Sequence, residues 1–354
     1  MIGPPSVAHK PGVEIICSAQ RVMNMRILAM HYMSAAGGES RRLGFAMTSG
    51  IIGRRETIAG GLLAAATLAS IGARAMPLSL LPEPFRAAPS EGRPLATSAL
   101  PSGGAALPTW RRFAVTPQPA NGRPIICIVI DDLGVMHRGT ERIVAMPGPL
   151  TLSWFPFAPN LPEQVAGGAA RGHEATLHMP MQSFSNSTYQ TGPDPLRIDL
   201  PPAVNLARLR AAIAAVPNVV GLNNHMGSVA THDAALMELV AHETRQHDML
   251  FLDSLTIGGS QGWRQAEAAG VPSAARDIFI DDKNNARLIA EQLLLIEHSA
   301  RTRGNVIAIG HPRPLTVDAL EAWLPTLPRK GFVLWPLAAT VALRGNLPLP
   351  GALV

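Results

Sequence analysis

Residues 125–130 are six apolar, mostly β-branched residues in a row, and Asp131 and Asp132 follow them at once. Such a run predicts a strand buried on both faces of a sheet. In α/β folds, ligands bind at the carboxyl end of a central strand. Because side chains alternate along a strand, we expect the two carboxylates to point in different directions and to hold different roles, such as base and metal ligand. A solvated turn is the alternative interpretation, because Asp and Gly are common turn residues.

Strands and helices are predicted to alternate from this run to the C-terminal region. Six segments have helical spacing, namely residues 137–146, 161–171, 204–216, 234–247, 284–303 and 317–324. Seven further segments are apolar runs of strand length, namely residues 150–155, 174–178, 219–223, 250–253, 277–280, 305–310 and 332–335. This alternation predicts a parallel α/β architecture, either an open sheet or a barrel. The sequence contains no internal repeat, P-loop or dinucleotide-binding fingerprint.

Composition separates the N-terminal third of the chain from the rest. With 354 residues, 47% of them hydrophobic, the chain can bury a large core. Residues 1–120 carry 12 Lys+Arg and 5 Asp+Glu, a net charge of +7, whereas residues 121–354 carry 18 and 20, a net charge of −2. The overall charge of +5 therefore comes from the N-terminal region. The remaining part shows no basic excess that would favour a nucleic-acid partner.

The N-terminal region has the features of an export signal. Arg54 and Arg55 precede an uncharged run of 14 residues, 58–71, and Ala73 and Ala75 fit a signal-peptidase site. We expect an extension and signal peptide in residues 1–75, compatible with a twin-arginine route, and a periplasmic or secreted protein. An uncleaved membrane anchor is the alternative, although 14 residues are few for a spanning helix. Residues 76–122, rich in Pro, Ala, Ser and Gly, predict a linker before a catalytic domain at 123–345.

Ionisable side chains stand at the ends of the predicted strands. They are Asp131, Asp132, His178, His225, Asp253, Arg276 and His311. Carboxyl ends of parallel strands meet at one face, and a carboxylate with two imidazoles is a normal zinc shell that leaves room for water and substrate. A single histidine at a strand end is more often structural, so the hypothesis depends on the convergence. We expect Asp281 and Asp282 to form a solvated cap before the helix at 284, rather than another acidic site.

Five of these strand ends, in order, resemble the motifs of the divergent polysaccharide deacetylase family, an offshoot of the metal-dependent carbohydrate esterases. They are Ile-Asp-Asp-Leu-Gly at 130–134, His-Met-Pro-Met at 178–181, Asn-His-Met-Gly-Ser at 224–228, Phe-Leu-Asp-Ser at 251–254 and Ile-Gly-His-Pro at 309–312. The resemblance covers about residues 123–340. It implies a distorted (β/α) barrel of about seven units and metal-dependent removal of acetyl groups from an envelope or extracellular polysaccharide.

The resemblance also implies roles for four residues: general base for Asp131, metal ligand for Asp132 and His178, and general acid for His311. The second motif of the better-known deacetylases has two histidines a few residues apart, whereas Met181 and Gln182 stand in that neighbourhood. We therefore expect His225 to be the remaining ligand of a divalent metal, with zinc as the expected ion. Asp253 or Arg276 is a candidate to orient the acid or to bind acetate. The altered motif leaves a second hypothesis open, an inactive module that binds an envelope glycan or a protein partner.

Overall fold

The computed structural model describes residues 106–184 and 191–351. The predicted signal peptide and most of the predicted linker lie outside these ranges. In the described part, every helix is too short or too polar to cross a membrane.

One parallel sheet forms the centre of the described domain. Its strands are β1 Ile125–Leu133, β2 Thr151–Trp154, β3 Glu174–Met181, β4 Gly221–Met226, β5 Leu250–Asp253, β6 Ser273–Ala275, β7 Ile278–Phe279, β8 Asn305–Gly310 and β9 Val333–Leu334. They pair in the order β6-β5-β4-β3-β2-β1-β8-β7, and β9 pairs with the start of β1. All of these pairs are parallel, as the alternation with helices predicts.

The helices of the described domain are α1 Thr109–Arg112, α2 His137–Ala145, α3 Leu161–Ala170, α4 Pro202–Ala215, α5 Ala234–Gln246, α6 Gly262–Ala268, α7 Ala286–Arg303, α8 Pro314–Trp323 and α9 Leu337–Arg344. Helices α2 to α8 follow strands and return the chain to the start of the next one, which is the connection that parallel strands require.

A single short segment joins the two ends of the sheet. The backbone N–H of Arg276 donates to the carbonyl of Asp253 at the end of β5, over 3.0 Å. The next residue, Asp277, donates to the carbonyl of Ile307 in β8, over 2.9 Å. The chain thus crosses from one edge of the sheet to the other between β6 and β7. This crossing brings the two edges of the curled sheet together, as in the distorted (β/α) barrel that the resemblance implies.

Alternating side chains on β1 separate two apolar layers. Residues 126, 128 and 130 pack in a large cluster together with buried residues of the surrounding helices. Cys127 and Val129 belong to a second cluster with residues of β5, β6, β8 and α9, which fills the interior of the barrel. Because residues 337–342 of α9 are all buried, this helix closes the amino end of the barrel. The carboxyl end is left for the polar side chains.

The segment before β1 is also part of this domain. Within the range for which the composition predicts a linker, α1 packs Trp110 into the barrel-interior cluster with only 7% of its surface exposed. The Trp110 backbone N–H donates to the carbonyl of Asp248, over 3.0 Å. Further along, the indole N–H of Trp335 donates to the carbonyl of Gln118, over 2.8 Å. The described domain therefore begins before residue 123.

Candidate metal centre and active site

A local irregularity in β1 turns two consecutive carboxylates toward the barrel interior. Asp132 has a φ of +60°, a left-handed conformation that Asp tolerates better than most residues, and the register with β2 shifts between Ile130 and Leu133. Ile130 and Leu133 both lie in the outer cluster, although strict alternation would place them on opposite faces. The expected alternation of Asp131 and Asp132 is therefore wrong at this point. Backbone strain of this kind is concentrated at functional sites.

The two carboxylates meet His178 from β3. The Oδ1 atom of Asp131 lies 3.8 Å from Nδ1 of His178, and Oδ1 of Asp132 lies 3.2 Å from Nε2 of the same ring. Strand register brings in His225, which stands opposite Pro180, two residues along from the pair His178 and Asn223. Because residues two apart on a strand share a face, His178 and His225 both point into the barrel. β4 thus supplies the imidazole that the second motif lacks.

Asp132, His178 and His225 form what we call the Asp–His–His triad. Their facing atoms make a nearly equilateral triangle: His225 Nδ1 lies 3.0 Å from Asp132 Oδ1 and 3.1 Å from His178 Nε2, and the third side is 3.2 Å. Three ligands bound at 2.0–2.1 Å around a tetrahedral ion would be about 3.3 Å apart. The carboxylate and imidazole donors and their spacing therefore fit a divalent metal. All three residues are buried.

Charges in the triad favour a permanent negative charge on its carboxylate. Burial by itself would raise the pKa of Asp132, but the neighbouring imidazoles, above all that of His225, lower this pKa well below its usual range. Burial would lower the pKa of His178, but the nearby Asp131 and Asp132 raise it. The carboxylates and imidazoles therefore stabilise one another's charges, and a cation that replaces the imidazole protons would meet an ionised carboxylate and neutral imidazoles.

His311, at the end of β8, approaches the triad from the other side and is held by Asp281. Its Nε2 lies 4.0 Å from Asp132 Oδ2, while its Nδ1 lies 2.8 Å from Asp281 Oδ1. The second oxygen of Asp281 accepts from the His311 backbone N–H, over 3.0 Å, and from the Thr316 hydroxyl, over 2.7 Å. Burial would lower the pKa of His311, but Asp132 and Asp281 raise it. The Nε2 atom of His311 therefore faces the triad, and the neighbouring carboxylates favour the protonated ring.

The expectation of a solvated Asp281 is wrong. Its side chain is fully buried, whereas the next residue, Asp282, is exposed and fits the expectation. The helix cap that was expected of this pair is Asn285, whose side chain accepts from the backbone N–H groups of Arg287 and Leu288. Buried carboxylates are rarely found without a partner, and here His311 is the partner.

The two other residues considered as partners of His311 have different contacts. Asp253 accepts from the backbone of Leu255 and Trp263 and from the Ser260 hydroxyl, so it anchors the loop after β5. Arg276 donates to the carbonyls of Ser254 and Leu255, over 2.7 and 2.8 Å. Its guanidinium also lies over the ring of Phe279, 4.6 Å from the centroid. Asp281, and not Asp253 or Arg276, orients His311.

Aromatic rings and a buried amide complete the surroundings. Phe155 contacts both imidazoles of the triad, with centroid distances of 5.2 Å to His178 and 4.8 Å to His225. Phe279 lies 5.4 Å from the His311 ring. Between β3 and β5, Asn223 contacts four side chains: Asp131, Ser153, His178 and Ser254. Phe155 and Asn223 carry no sequence signal of a site residue beyond the position of Asn223 in the asparagine pair before His225.

Comparison with known proteins identifies the family of this chain. Residues 128–341 match the divergent polysaccharide deacetylase family, so the chain belongs to it. The resemblance read from the sequence motifs is confirmed.

Two curated relatives and one solved structure illustrate the match. Uncharacterized protein YibQ from Escherichia coli K12 is 34% identical over 203 residues, which is 57% of this chain and 63% of that protein. The match thus spans less than two thirds of the E. coli protein. An uncharacterized protein from Haemophilus influenzae Rd is 37% identical over 57% of this chain and 72% of that protein. The crystal structure of uncharacterized protein ATU2773 from Agrobacterium tumefaciens C58 shares the fold, with a TM-score of 0.64 and 23% identity over 67% of this chain and 97% of that chain.

Proposed function

We propose that this protein is a metal-dependent deacetylase that hydrolyses N- or O-acetyl groups of an envelope or extracellular polysaccharide. The observation that carries the proposal is one buried cluster at the carboxyl end of the barrel: the Asp–His–His triad, with Asp131 on one side and the Asp281–His311 pair on the other. A metal site, a base and an acid are the groups that hydrolysis of an acetyl group needs. Membership of the deacetylase family supports the same substrate class.

In this proposal, Asp132, His178 and His225 hold the cation, with zinc the expected ion because its protein ligands are of this kind. When bound, a divalent cation supplies Lewis acidity for the acetyl carbonyl and acidifies a water molecule. Asp131 acts as the general base that takes the proton of the attacking water. His311 acts as the general acid: its Nε2 donates a proton to the leaving amine or alkoxide, while Asp281 holds Nδ1. Both groups are largely excluded from bulk water, which strengthens their electrostatic effects.

The rival function is a glycan-binding or partner-binding module without catalysis. Loss of the usual second histidine motivates it, because a barrel with an incomplete metal shell would be inert. The position of His225 argues against this rival, since β4 completes a triad with the spacing of a metal site. For location we propose the periplasm or the extracellular space, on the strength of the predicted signal. Cell fractionation with and without the Arg54→Lys, Arg55→Lys double substitution tests that part separately.

The experiment is acetate release from a panel of N- and O-acetylated glycans, with and without a chelator, for the wild type and Asp131→Asn. The proposal expects release by the wild type, loss of release with the chelator, and recovery when Zn²⁺ is restored. Glycan binding without acetate release under any condition would support the binding module. Equal release in all four conditions would also overturn the proposal, because the reaction would then need neither metal nor base.

A further inference from the structure

We propose that Asn223 is a positioning residue that fixes the tautomer of His178 and thereby aims the Nε2 lone pair into the Asp–His–His triad. This inference rests on the proposed metal site but concerns a side chain outside the metal shell. Asn223 is fully buried on β4, directly opposite His178 on β3. Side chains opposite one another on neighbouring strands lie on the same face and in contact.

The orientation of the Asn223 amide follows from its neighbours. Nδ2 lies 2.8 Å from Asp131 Oδ1 and 3.0 Å from the Ser254 hydroxyl, and a carboxylate oxygen can only accept. If the amide were turned over, two oxygens would face each other at this short distance. The contact with Asp131 therefore assigns the amide nitrogen to that side and the amide oxygen to the opposite side.

The amide oxygen in turn determines the protonation of His178. Oδ1 of Asn223 accepts from the Ser153 hydroxyl and lies 2.9 Å from Nδ1 of His178. Because an amide oxygen can only accept, Nδ1 must carry a proton. In the neutral ring the other nitrogen, Nε2, then has its lone pair available, and it is Nε2 that faces Asp132 and His225. Metal-bound histidines are generally oriented in this way by an acceptor on the far nitrogen.

The chain of contacts thus runs from the proposed base to the proposed metal ligand. Asp131 orients Asn223, and Asn223 orients His178. One amide links the two functions, which accounts for a fully buried polar side chain with four polar neighbours between two strands. Its neighbour Asn224 is a natural contrast. Asn224 is equally buried, but among the described residues its side chain hydrogen-bonds to backbone groups, the carbonyl of Met226 and the N–H of Ser254.

Two measurements test the proposal on the full-length protein. The first is ¹⁵N NMR of the histidine rings in metal-free protein, at a pH high enough for His178 to be neutral, with His178 assigned by the signals that disappear in His178→Gln. We expect neutral wild-type His178 to carry its proton on Nδ1 and Asn223→Ala to lose this preference. Asn224→Ala is the matched control and should leave the His178 signals unchanged.

The second measurement is the affinity for Zn²⁺ alone, by competition with a chelator. Loss of a partner that orients a metal ligand typically costs about 10–100-fold in affinity, and we expect a loss of this size for Asn223→Ala but none for Asn224→Ala. A neutral wild-type His178 that carries its single proton on Nε2 overturns the inference without any variant. So does an Asn223→Ala protein that keeps both the tautomer and the affinity, even where the deacetylase proposal stands. If the wild type has the Nδ1–H tautomer but binds no Zn²⁺, the metal site fails and the tautomer assignment remains.

Discussion

The two ends of the barrel each bury a carboxyl group, and the pKa values of these two groups shift in opposite directions. At the carboxyl end, Asp132 is 3% exposed, and its pKa is lowered well below the usual range because imidazoles surround it despite the burial. At the amino end, Glu174 is 1% exposed, and burial raises its pKa to about 7. Its hydrogen-bond donors, among them the backbone N–H of Ala338, are neutral and offset the burial only in part. Burial is therefore common to both ends, and the charge of the neighbours decides the outcome.

The difference in pKa corresponds to a difference in the role of the two buried carboxyl groups. Glu174 joins elements that close the barrel: its Oε1 accepts from the first turn of α9, over 2.9 Å, and from the Thr151 hydroxyl, over 3.3 Å. Thr151 in turn accepts from the N–H of Leu337, over 2.9 Å. A carboxyl group at a helix N-terminus satisfies backbone donors that the helix itself leaves unpaired. The carboxyl group at the amino end thus joins β3, β2 and α9, whereas the carboxyl end brings carboxylates and imidazoles together.

The largest expected effect is on the rate of acetate release and comes from a change at the carboxyl end of the barrel. Asp131→Asn should reduce the rate of acetate release by about 10²–10⁴-fold, the usual contribution of a general base. The free energy of unfolding should change little, because the amide is nearly isosteric. Steady-state kinetics and urea unfolding of the same preparation check both statements. Asp233→Asn, at the N-cap of α5, is the matched control, since Asn caps helices as well as Asp does. A rate within experimental error of the wild type would exclude Asp131 as the base.

At the amino end of the barrel the expected effect is on the free energy of unfolding. Glu174→Ala removes the acceptor of the Ala338 N–H and the Thr151 hydroxyl in a buried setting and leaves a small cavity. Each unsatisfied buried donor costs about 1–3 kcal/mol, so we expect a loss of about 2–5 kcal/mol in the free energy of unfolding. Urea unfolding measures it, with Glu163→Ala, an exposed glutamate of α3, as the control within about 1 kcal/mol. If Glu174→Ala changes the free energy of unfolding as little as Glu163→Ala does, Glu174 does not stabilise the contact between the barrel and α9.

The pH dependence of stability distinguishes the ends further. The pKa of Glu174 is about 7 in the folded protein and 4.5 in the unfolded chain. Between pH 4.5 and pH 7 the folded state therefore keeps a proton that the unfolded chain has lost. The contribution of this group is therefore fully present below about pH 4.5 and is lost as the pH rises to about 7. At 1.36 kcal/mol per unit, the loss is about 3 kcal/mol. Glu174→Gln cannot titrate, so its unfolding free energy should lack this decrease. Parallel curves for wild type and Glu174→Gln would refute the raised pKa.

Elements with strong periodicity could be predicted from the sequence. The apolar runs at 250–253 and 305–310 coincide with β5 and β8, and the helical spacing at 234–247 matches α5 to within one residue. Helix α9 could not be found in this way, because residues 337–342 are buried on all sides and therefore show no polar face. Helix α6 and strand β6 are short, seven and three residues, and carry too little pattern for a reliable prediction.

The candidate site divides along similar lines. His178, His225 and His311 were predicted to converge because each stands at a strand end, a position that sequence alone can indicate. The bulge that turns Asp132 inward was not predictable, since it depends on the register between β1 and β2. The buried position of Asp281 was not predictable, because an acidic pair before a helix is usually a solvated cap and only the pairing of β7 with β8 brings Asp281 to His311. Contacts between distant segments are the information that local patterns lack.

The smallest expected effect tests how firmly His311, the proposed acid, is held. Thr316→Val removes one hydroxyl donor to Asp281 Oδ2 but leaves the two contacts from His311, through its backbone N–H and through Nδ1. Because a single buried hydrogen bond contributes about 0.5–1.5 kcal/mol, we expect a loss of about 1 kcal/mol in the free energy of unfolding and a nearly unchanged rate of acetate release. Urea unfolding and kinetics measure the two quantities, and Thr340→Val in α9, whose hydroxyl donates to the Pro336 carbonyl, is the corresponding change at the amino end. A rate loss as large as that of Asp131→Asn would mean that Thr316 takes part in orienting His311, and that Asp281 alone does not hold the acid in place.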